Sequence, residues 1–388
     1  MRILLVHNIL WAHYKAAVFQ AIDQLVGQRS GVSFRVLQIG RNERLRGSWE
    51  TNDPNAPTYA YPYELLFDSF VEDIPLGART RALLSRMRRY KPDVLCLTGY
   101  YDPAQLALLA YARLTGVPVV MQMESTALDN DRSFVKEQVK QFIIRQCNGF
   151  FCFGSPQADY LNQLGVSPAR ILLQKSAVDN QALLRAYQLA IQERETRQQA
   201  LRLPAHNFIF VGRLIEPKNL PMLLRCFADA VSQSPNKANW GLILLGDGPQ
   251  EVALKQQVQE LALETQVFFR PATPWYQVPD VLALADVLVL PSVSEPWGLV
   301  VNEAMVCGLP VLVSDRCGCA KDLVRDGQNG YLFDPGQPAQ LTGRLLAFMN
   351  EQADRGQMGQ ESQGIIQSWS VSSVAAEMLA GFNAVKKT

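Results

Sequence analysis

Short, nearly continuous apolar runs alternate along the whole chain with longer stretches of helical periodicity. In the first half the runs fall at residues 3–7, 32–39, 94–98, 117–123, 150–153 and 171–174. In the second half they fall at 208–211, 242–245, 267–269, 287–290, 311–313 and 331–333. Runs of this kind, apolar throughout rather than at every other position, predict strands covered on both faces, as in a parallel sheet. Helical patterns between them, such as 221–232 and 250–263, supply the right-handed crossovers that parallel strands need. The pattern therefore predicts an α/β protein of two Rossmann-like, doubly wound units. Ligands of open sheets bind at the carboxyl ends of the strands, here expected to face a cleft between the two units.

The boundary is expected within 178–205, which is polar, favours helix and holds no core strand. A first domain over 1–180, a linker over 181–205 and a second domain over 206–368 follow from that reading. The chain of 388 residues suits two such domains, at roughly 100–200 residues each. Lys and Arg number 37 against 36 Asp and Glu, a formal charge of +1 that argues against a nucleic-acid partner. With 48% apolar and 19% charged residues, the composition is globular rather than disordered. The seven cysteines are scattered, several in apolar runs (Cys96, Cys152, Cys226), and none shows zinc-type spacing; Cys317 and Cys319 stand too close together. Reduced core thiols in a cytoplasmic enzyme are expected. Residues 1–7 read as a strand rather than a signal peptide, and no run reaches the ~18 apolar residues of a membrane span.

Three stretches carry candidate chemistry. Residues 291–310 begin where an apolar run ends, and contain Ser294, Glu295, Pro296, Gly298, Glu303, Gly308 and Pro310. A helix starting here leaves the N–H groups near Gly298, Leu299 and Val300 without intrahelical partners, a site suited to phosphate. Glu295 then lies at the helix mouth and Glu303 over a turn deeper, in an otherwise apolar setting of Val300, Val301, Ala304 and Met305. Two carboxylates so spaced can grip two hydroxyl-bearing parts of one ligand. Residues 208–220 deliver Gly212 at a strand end, followed by Arg213 and Lys218, a fork and a mobile ammonium that suit a pyrophosphate. The third stretch, Gly246 to Pro249, is a tight turn with Glu251 where a dinucleotide fingerprint would place its last glycine.

Other features are weaker. Asp129-Asn130-Asp131 has an Asp-x-Asp form that can hold a cation, but such residues also cap helices, and no metal is expected. The cations Arg79, Arg81, Arg86, Arg88, Arg89 and Lys91 read as a solvated helix face, with an anionic membrane surface or acceptor as the minority reading. In the loop after the first strand, His13 is a candidate for orienting an acceptor, and Trp11 and Tyr14 offer rings to a sugar.

The order and spacing of Glu295 and Glu303 after residues 288–292, with Phe210 to Arg213, Lys218 and the Gly246 turn upstream, resemble glycosyltransferase family 4. These are retaining nucleotide-sugar enzymes of the GT-B fold. The resemblance is densest over 208–335, ending in Asp326, Gly327, Asn329, Gly330 and Tyr331 through Pro335, and rests mainly on strand order over 1–180. It implies that Arg213 and Lys218 hold the donor pyrophosphate, that Glu303 binds the ribose, and that Glu295 contacts the transferred sugar. The amides of Gly298, Leu299 and Val300 would complete the cradle, with Gly212 and Gly246 lining the donor site. On the acceptor side, Glu124 stands where the family often has a histidine, and joins His13 and Tyr14 as a candidate. Pro271 and Gly318-Cys319 replace a typical glycine and a Gly-Gly pair. The helix within 369–388 would cross back to the first domain.

The expected reaction is metal-independent transfer of a sugar from a nucleoside-diphosphate donor, UDP by default, to an unidentified acceptor, with no bound cofactor. The expected place is the cytoplasm, with peripheral contact at the inner membrane face as an option. A nucleotide-sugar epimerase and a noncatalytic nucleotide-sugar-binding protein are the alternatives. A phosphorylase lacks an identifiable pyridoxal-phosphate lysine, and an NAD enzyme lacks its glycine fingerprint.

Overall fold

The computed structural model describes residues 1–10, 12–44, 56–126 and 134–386. The chain begins with β1 (Arg2–Ile9), α1 (His13–Gly27), β2 (Ser33–Gly40), β3 (Tyr63–Leu65), α2 (Leu76–Tyr90) and β4 (Val94–Thr98). It continues through α3 (Pro103–Leu114), β5 (Val119–Met123), α4 (Phe134–Arg145), β6 (Gly149–Cys152), α5 (Ser155–Gln163) and β7 (Ile171–Gln174). Next come α6 (Asn180–Ala190), α7 (Arg194–Ala200), β8 (His206–Val211), α8 (Leu220–Gln233), β9 (Trp240–Leu245), α9 (Glu251–Glu260) and β10 (Val267–Arg270). After α10 (Val278–Leu282), β11 (Val287–Leu290), α11 (Leu299–Val306), β12 (Val311–Ser314), α12 (Ala320–Leu323) and β13 (Gly330–Phe333), three helices close the chain. They are α13 (Pro338–Met349), α14 (Arg355–Ile366) and α15 (Val371–Lys386).

Two compact units result: Met1–Ala177 with Trp369–Thr388, and Val178–Ser368. The first holds a parallel sheet ordered β3-β2-β1-β4-β5-β6-β7, and the second a parallel sheet ordered β10-β9-β8-β11-β12-β13. Both orders reverse direction beside their first strand, so each sheet has a topological switch point, at β1/β4 and at β8/β11. All twelve expected strands are present. One further strand among the described residues, β3, is three residues long, partly exposed and at the sheet edge, so it lacks the two-sided burial that marks the others.

In the first unit, α2, α3, α4 and α5 pack on one face of the sheet, through Leu83, Leu108, Ile144 and Leu161 among others. The opposite face is covered by α1 and α15, whose Phe19, Ile22, Leu379 and Phe382 are fully buried. Helix α15 is thus part of the first unit although the whole second unit precedes it. Phe382 lies edge-on to Phe151 at 5.2 Å, and Glu377 pairs with Lys175 at 2.8 Å.

The stretch expected as a linker, 181–205, forms α6 and α7 and packs within the second unit. Asp286, just before β11, fastens it: the carboxylate accepts from Arg194 Nη2 at 2.7 Å and from the Asn207 N–H at 2.8 Å, with His206 Nδ1 at 3.3 Å. Burial alone would raise the Asp286 pKa, but the His206 contact, the Arg194 charge and the Asn207 N–H hold it below the usual carboxylate range. Asp286→Asn should cost about 2–4 kcal/mol in urea unfolding at neutral pH, because it leaves Arg194 half-paired in a partly buried place. The deficit should narrow in acid, since a depressed carboxyl yields its stabilisation as pH falls through the folded pKa.

Candidate active site

The strand ends on either side of the second switch point come together through close backbone contacts. Gly212 follows β8 with φ 152°, and Gly246 follows β9 with φ 146°. A Cβ on Gly246 would lie 1.9 Å from the Gly212 carbonyl oxygen, and one on Gly248 would lie 2.4 Å from that of Leu214. The two loops are also hydrogen-bonded, Leu214 N–H to the Asp247 carbonyl at 2.9 Å. Asp247 in turn accepts from the Ala272 N–H at 3.0 Å, which fixes the loop carrying Pro271 to the same strand end. Across the switch point, the Val293 N–H donates to the Pro217 carbonyl at 2.9 Å.

Ser294, Glu295 and Pro296, expected as turn and helix-start residues, lie before the helix, and residues 295–297 run beside 317–319. Glu295 bridges Cys317, and its carbonyl accepts from the Gly318 N–H at 2.9 Å; the Trp297 carbonyl accepts from Cys319 at 3.0 Å. A side chain at 318 would meet the Pro296 carbonyl oxygen at 2.0 Å. Helix α11 begins only at Leu299, after Gly298 turns with φ 95°. Trp297, buried, donates from Nε1 to Asn302 Oδ1 at 2.9 Å and so holds this turn. The first-turn N–H groups of Leu299 and Val300 have no acceptor among the described residues, which leaves the positive end of the helix dipole available to an anion.

Charged groups surround this helix mouth. Lys218 Nζ forms an ion pair with Glu295 Oε2, each side chain being mostly buried. Glu303 lies one turn into α11, 7% exposed, with no ion-pair partner among the described residues; burial pushes its pKa up to about 8. Arg213 is exposed on the loop after β8 and forms no ion pair among the described residues. Gly212, Lys218, Gly246, Glu295, Gly298, Leu299, Val300 and Glu303 therefore gather at one sheet edge. Arg213 follows Gly212 on the loop at that edge.

In the first unit, Glu124 follows β5 and lies 3.3 Å from Lys15 Nζ. Lys15, in the first turn of α1, is 9% exposed and donates to Gln122 Oε1 at 2.6 Å; its ammonium sits 4.3 Å from the Phe153 ring centre. Burial lowers the Lys15 pKa, against the opposing pull of Glu124. Tyr14 meets Phe153 edge-on at 6.0 Å. His13 opens α1, and its side chain lies outside the described residues, as do Trp11, Asp129 and Asp131.

Comparison with known proteins agrees with this arrangement. Residues 191–364 match the family described as glycosyl transferases group 1, and residues 15–173 match a glycosyl transferase 4-like domain. An N-acetyl-alpha-D-glucosaminyl L-malate synthase of Bacillus anthracis is 28% identical over 155 residues, covering 40% of this chain and 39% of that protein. A D-inositol 3-phosphate glycosyltransferase of Rhodococcus erythropolis is 27% identical over 297 residues, covering 71% of this chain and 65% of that one. The chain thus spans less than two thirds of the length of these relatives. The Anabaena HepE protein, solved in complex with UDP, superposes with a TM-score of 0.75 at 17% identity, over 99% of each chain. The chain belongs to the GT-B glycosyltransferases.

Within this GT-B chain, several residues had no individual signal in the sequence. Lys15 was visible only as a cation within the largely apolar start of α1, and Gln122 was hidden inside a strand. The need for glycine at 246, 248 and 318 comes from backbone carbonyls that approach from other loops. Glu303 offers a direct check. A carboxyl whose pKa is raised in the folded state destabilises the fold as pH rises from the ordinary carboxyl range through the raised value. Glu303→Gln should match the parent in urea unfolding at about pH 5 and exceed it at about pH 8 by on the order of 2–4 kcal/mol. An unchanged difference across that range would place the carboxylate in water.

Proposed function

We propose that the protein moves a sugar from a nucleoside-diphosphate donor, a UDP-sugar by default, to a hydroxyl of a glycan, lipid or small-molecule acceptor, retaining the anomeric configuration and needing no metal ion. The observation that carries this reading is the Lys218–Glu295 pair set at the open amino end of α11, with the buried Glu303, which has no ion-pair partner among the described residues, one turn below. UDP as the default nucleotide is supported by the Anabaena protein of the same fold, which was solved with UDP.

The chemistry follows from charge. Breaking the bond between the anomeric carbon and phosphate leaves negative charge on the departing diphosphate and positive charge on the sugar. Lys218, Arg213 and the N–H groups of Leu299 and Val300 stabilise the diphosphate, in the role that a divalent cation takes elsewhere. Glu303 gives up its proton as the ribose hydroxyls replace its missing water, and then accepts hydrogen bonds from them. Glu295 contacts the transferred sugar and keeps Lys218 oriented toward the helix mouth. The departing phosphate oxygen takes the proton of the acceptor hydroxyl as that hydroxyl attacks the same face of the sugar, so no covalent enzyme intermediate forms. On the acceptor side, Glu124 bonds the incoming hydroxyl compound, held in place by Lys15.

Calorimetry with UDP-, GDP- and ADP-sugars, followed by mass-spectrometric acceptor profiling, tests the assignment. Turnover of the nucleotide sugar with no acceptor present would favour the epimerase alternative; binding without any transfer would favour the noncatalytic one. Lys218→Ala should lower kcat/KM about 10²–10³-fold, the effect of losing one donor to a developing oxyanion. A rate within a factor of two of the parent would remove Lys218 from the mechanism. EDTA should leave the rate unchanged; loss of activity that Mn²⁺ restores would overturn the metal-free reading.

A further inference from the structure

We propose that the outer face of helices α2, α3 and α4 docks the protein onto an anionic lipid surface. These three consecutive helices contain nine Lys and Arg against the single carboxylate of Glu137. They carry +8, so the rest of a chain whose total is +1 carries −7. The excess is spatial as well as sequential, because all three helices cover the same face of the first sheet and α2 runs against α3. The fourth helix on that face, α5, has Asp159 as its one charged residue.

Part of this charge is neutralised within the fold. Arg79 pairs with Asp102 at 3.3 Å, Arg86 with Glu64 at 2.8 Å and Lys140 with Glu137 at 2.9 Å. Arg81, Arg88, Arg89, Arg113 and Arg145 are exposed and form no ion pair among the described residues. The dipole of each helix favours a cation in its last turn, which accounts for Arg88, Arg89, Arg113 and Arg145. It does not account for Arg81 in mid-helix, nor for the apolar side chains standing among the cations. Leu114 is 87% exposed, Phe142 69% and Val139 54%.

That mixture selects the partner. A nucleic acid or an acidic glycan answers the arginines but offers little to bare Leu and Phe side chains. The headgroup region of an anionic bilayer answers both, with phosphates for the guanidinium groups and acyl chains for the apolar tips. Among the described residues no helix is long and apolar enough to cross a membrane, so the attachment is peripheral.

Sedimentation of the whole protein with vesicles tests this independently of any transfer activity. The protein should bind vesicles of equal parts phosphatidylglycerol and phosphatidylcholine and ignore phosphatidylcholine alone. Arg81→Gln, Arg88→Gln and Arg89→Gln should each weaken binding about fivefold. Leu114→Ser and Phe142→Ser should each weaken it roughly tenfold, as expected for apolar groups that enter the bilayer. Thermal melting like the parent's confirms that these exposed substitutions leave the fold intact. Failure to bind the anionic vesicles, or binding indifferent to the arginine substitutions, overturns the proposal. So does binding that heparin abolishes while both serine variants bind like the parent, which would assign the face to a soluble polyanion.

Discussion

Backbone lies directly against backbone at the carboxyl end of the second sheet, and the candidate site of the second unit depends on that closeness. Gly246 rests on the Gly212 carbonyl, Gly248 on that of Leu214, and Gly318 on that of Pro296, all at separations that leave no room for a β-carbon. Each contact removes a side chain from between two loops and replaces it with a direct peptide interaction. Four loops that leave different strands are thereby joined in two pairs, after β8 and β9 and after β11 and β12, and the Val293 to Pro217 hydrogen bond links the pairs. Lys218 and Glu295, carried on separate loops, meet because their backbones are already joined by the Val293 to Pro217 hydrogen bond.

The same close packing explains the state of Glu303. Helix α11 is packed so tightly beneath the 295–298 turn that Val301, Asn302, Ala304 and Met305 are all but inaccessible. A carboxyl carried on that helix loses most of its hydration whether or not a ligand is present. Desolvation of this kind is costly for a free protein, and it is tolerable where hydroxyl donors of a bound molecule replace the missing water. Lys15 in the first unit follows the opposite strategy. It too is buried, but it enters with Gln122 and Glu124 already in contact, so its charge is met inside the protein.

Charge is distributed in a way that the totals conceal. A chain with balanced cations and carboxylates has concentrated its excess arginine on one helical layer, while acidic residues dominate elsewhere. Exposed Leu114 and Phe142 on that layer run against the ordinary tendency to place large apolar groups inside. Neither property is needed to close the core, which is filled by the opposite sides of the same helices.

The amino-acid sequence by itself determined the strands and their class. Residues covered on both faces must be apolar throughout, and that demand is local enough to be read from runs of a few residues. The motif residues Arg213, Lys218, Glu295 and Glu303 were legible for a related reason, since their order and spacing accompany the strand ends that carry them. Edge strand β3, half-exposed and three residues long, made no such local demand. Tertiary structure alone decided which loops touch and that the helix-favouring stretch 181–205 packs within the second unit rather than linking the two. It also decided that Lys15 would meet Gln122, 107 positions away. Those contacts depend on the order of strands within each sheet, and sheet order is set by packing between distant segments rather than by the periodicity of any one of them.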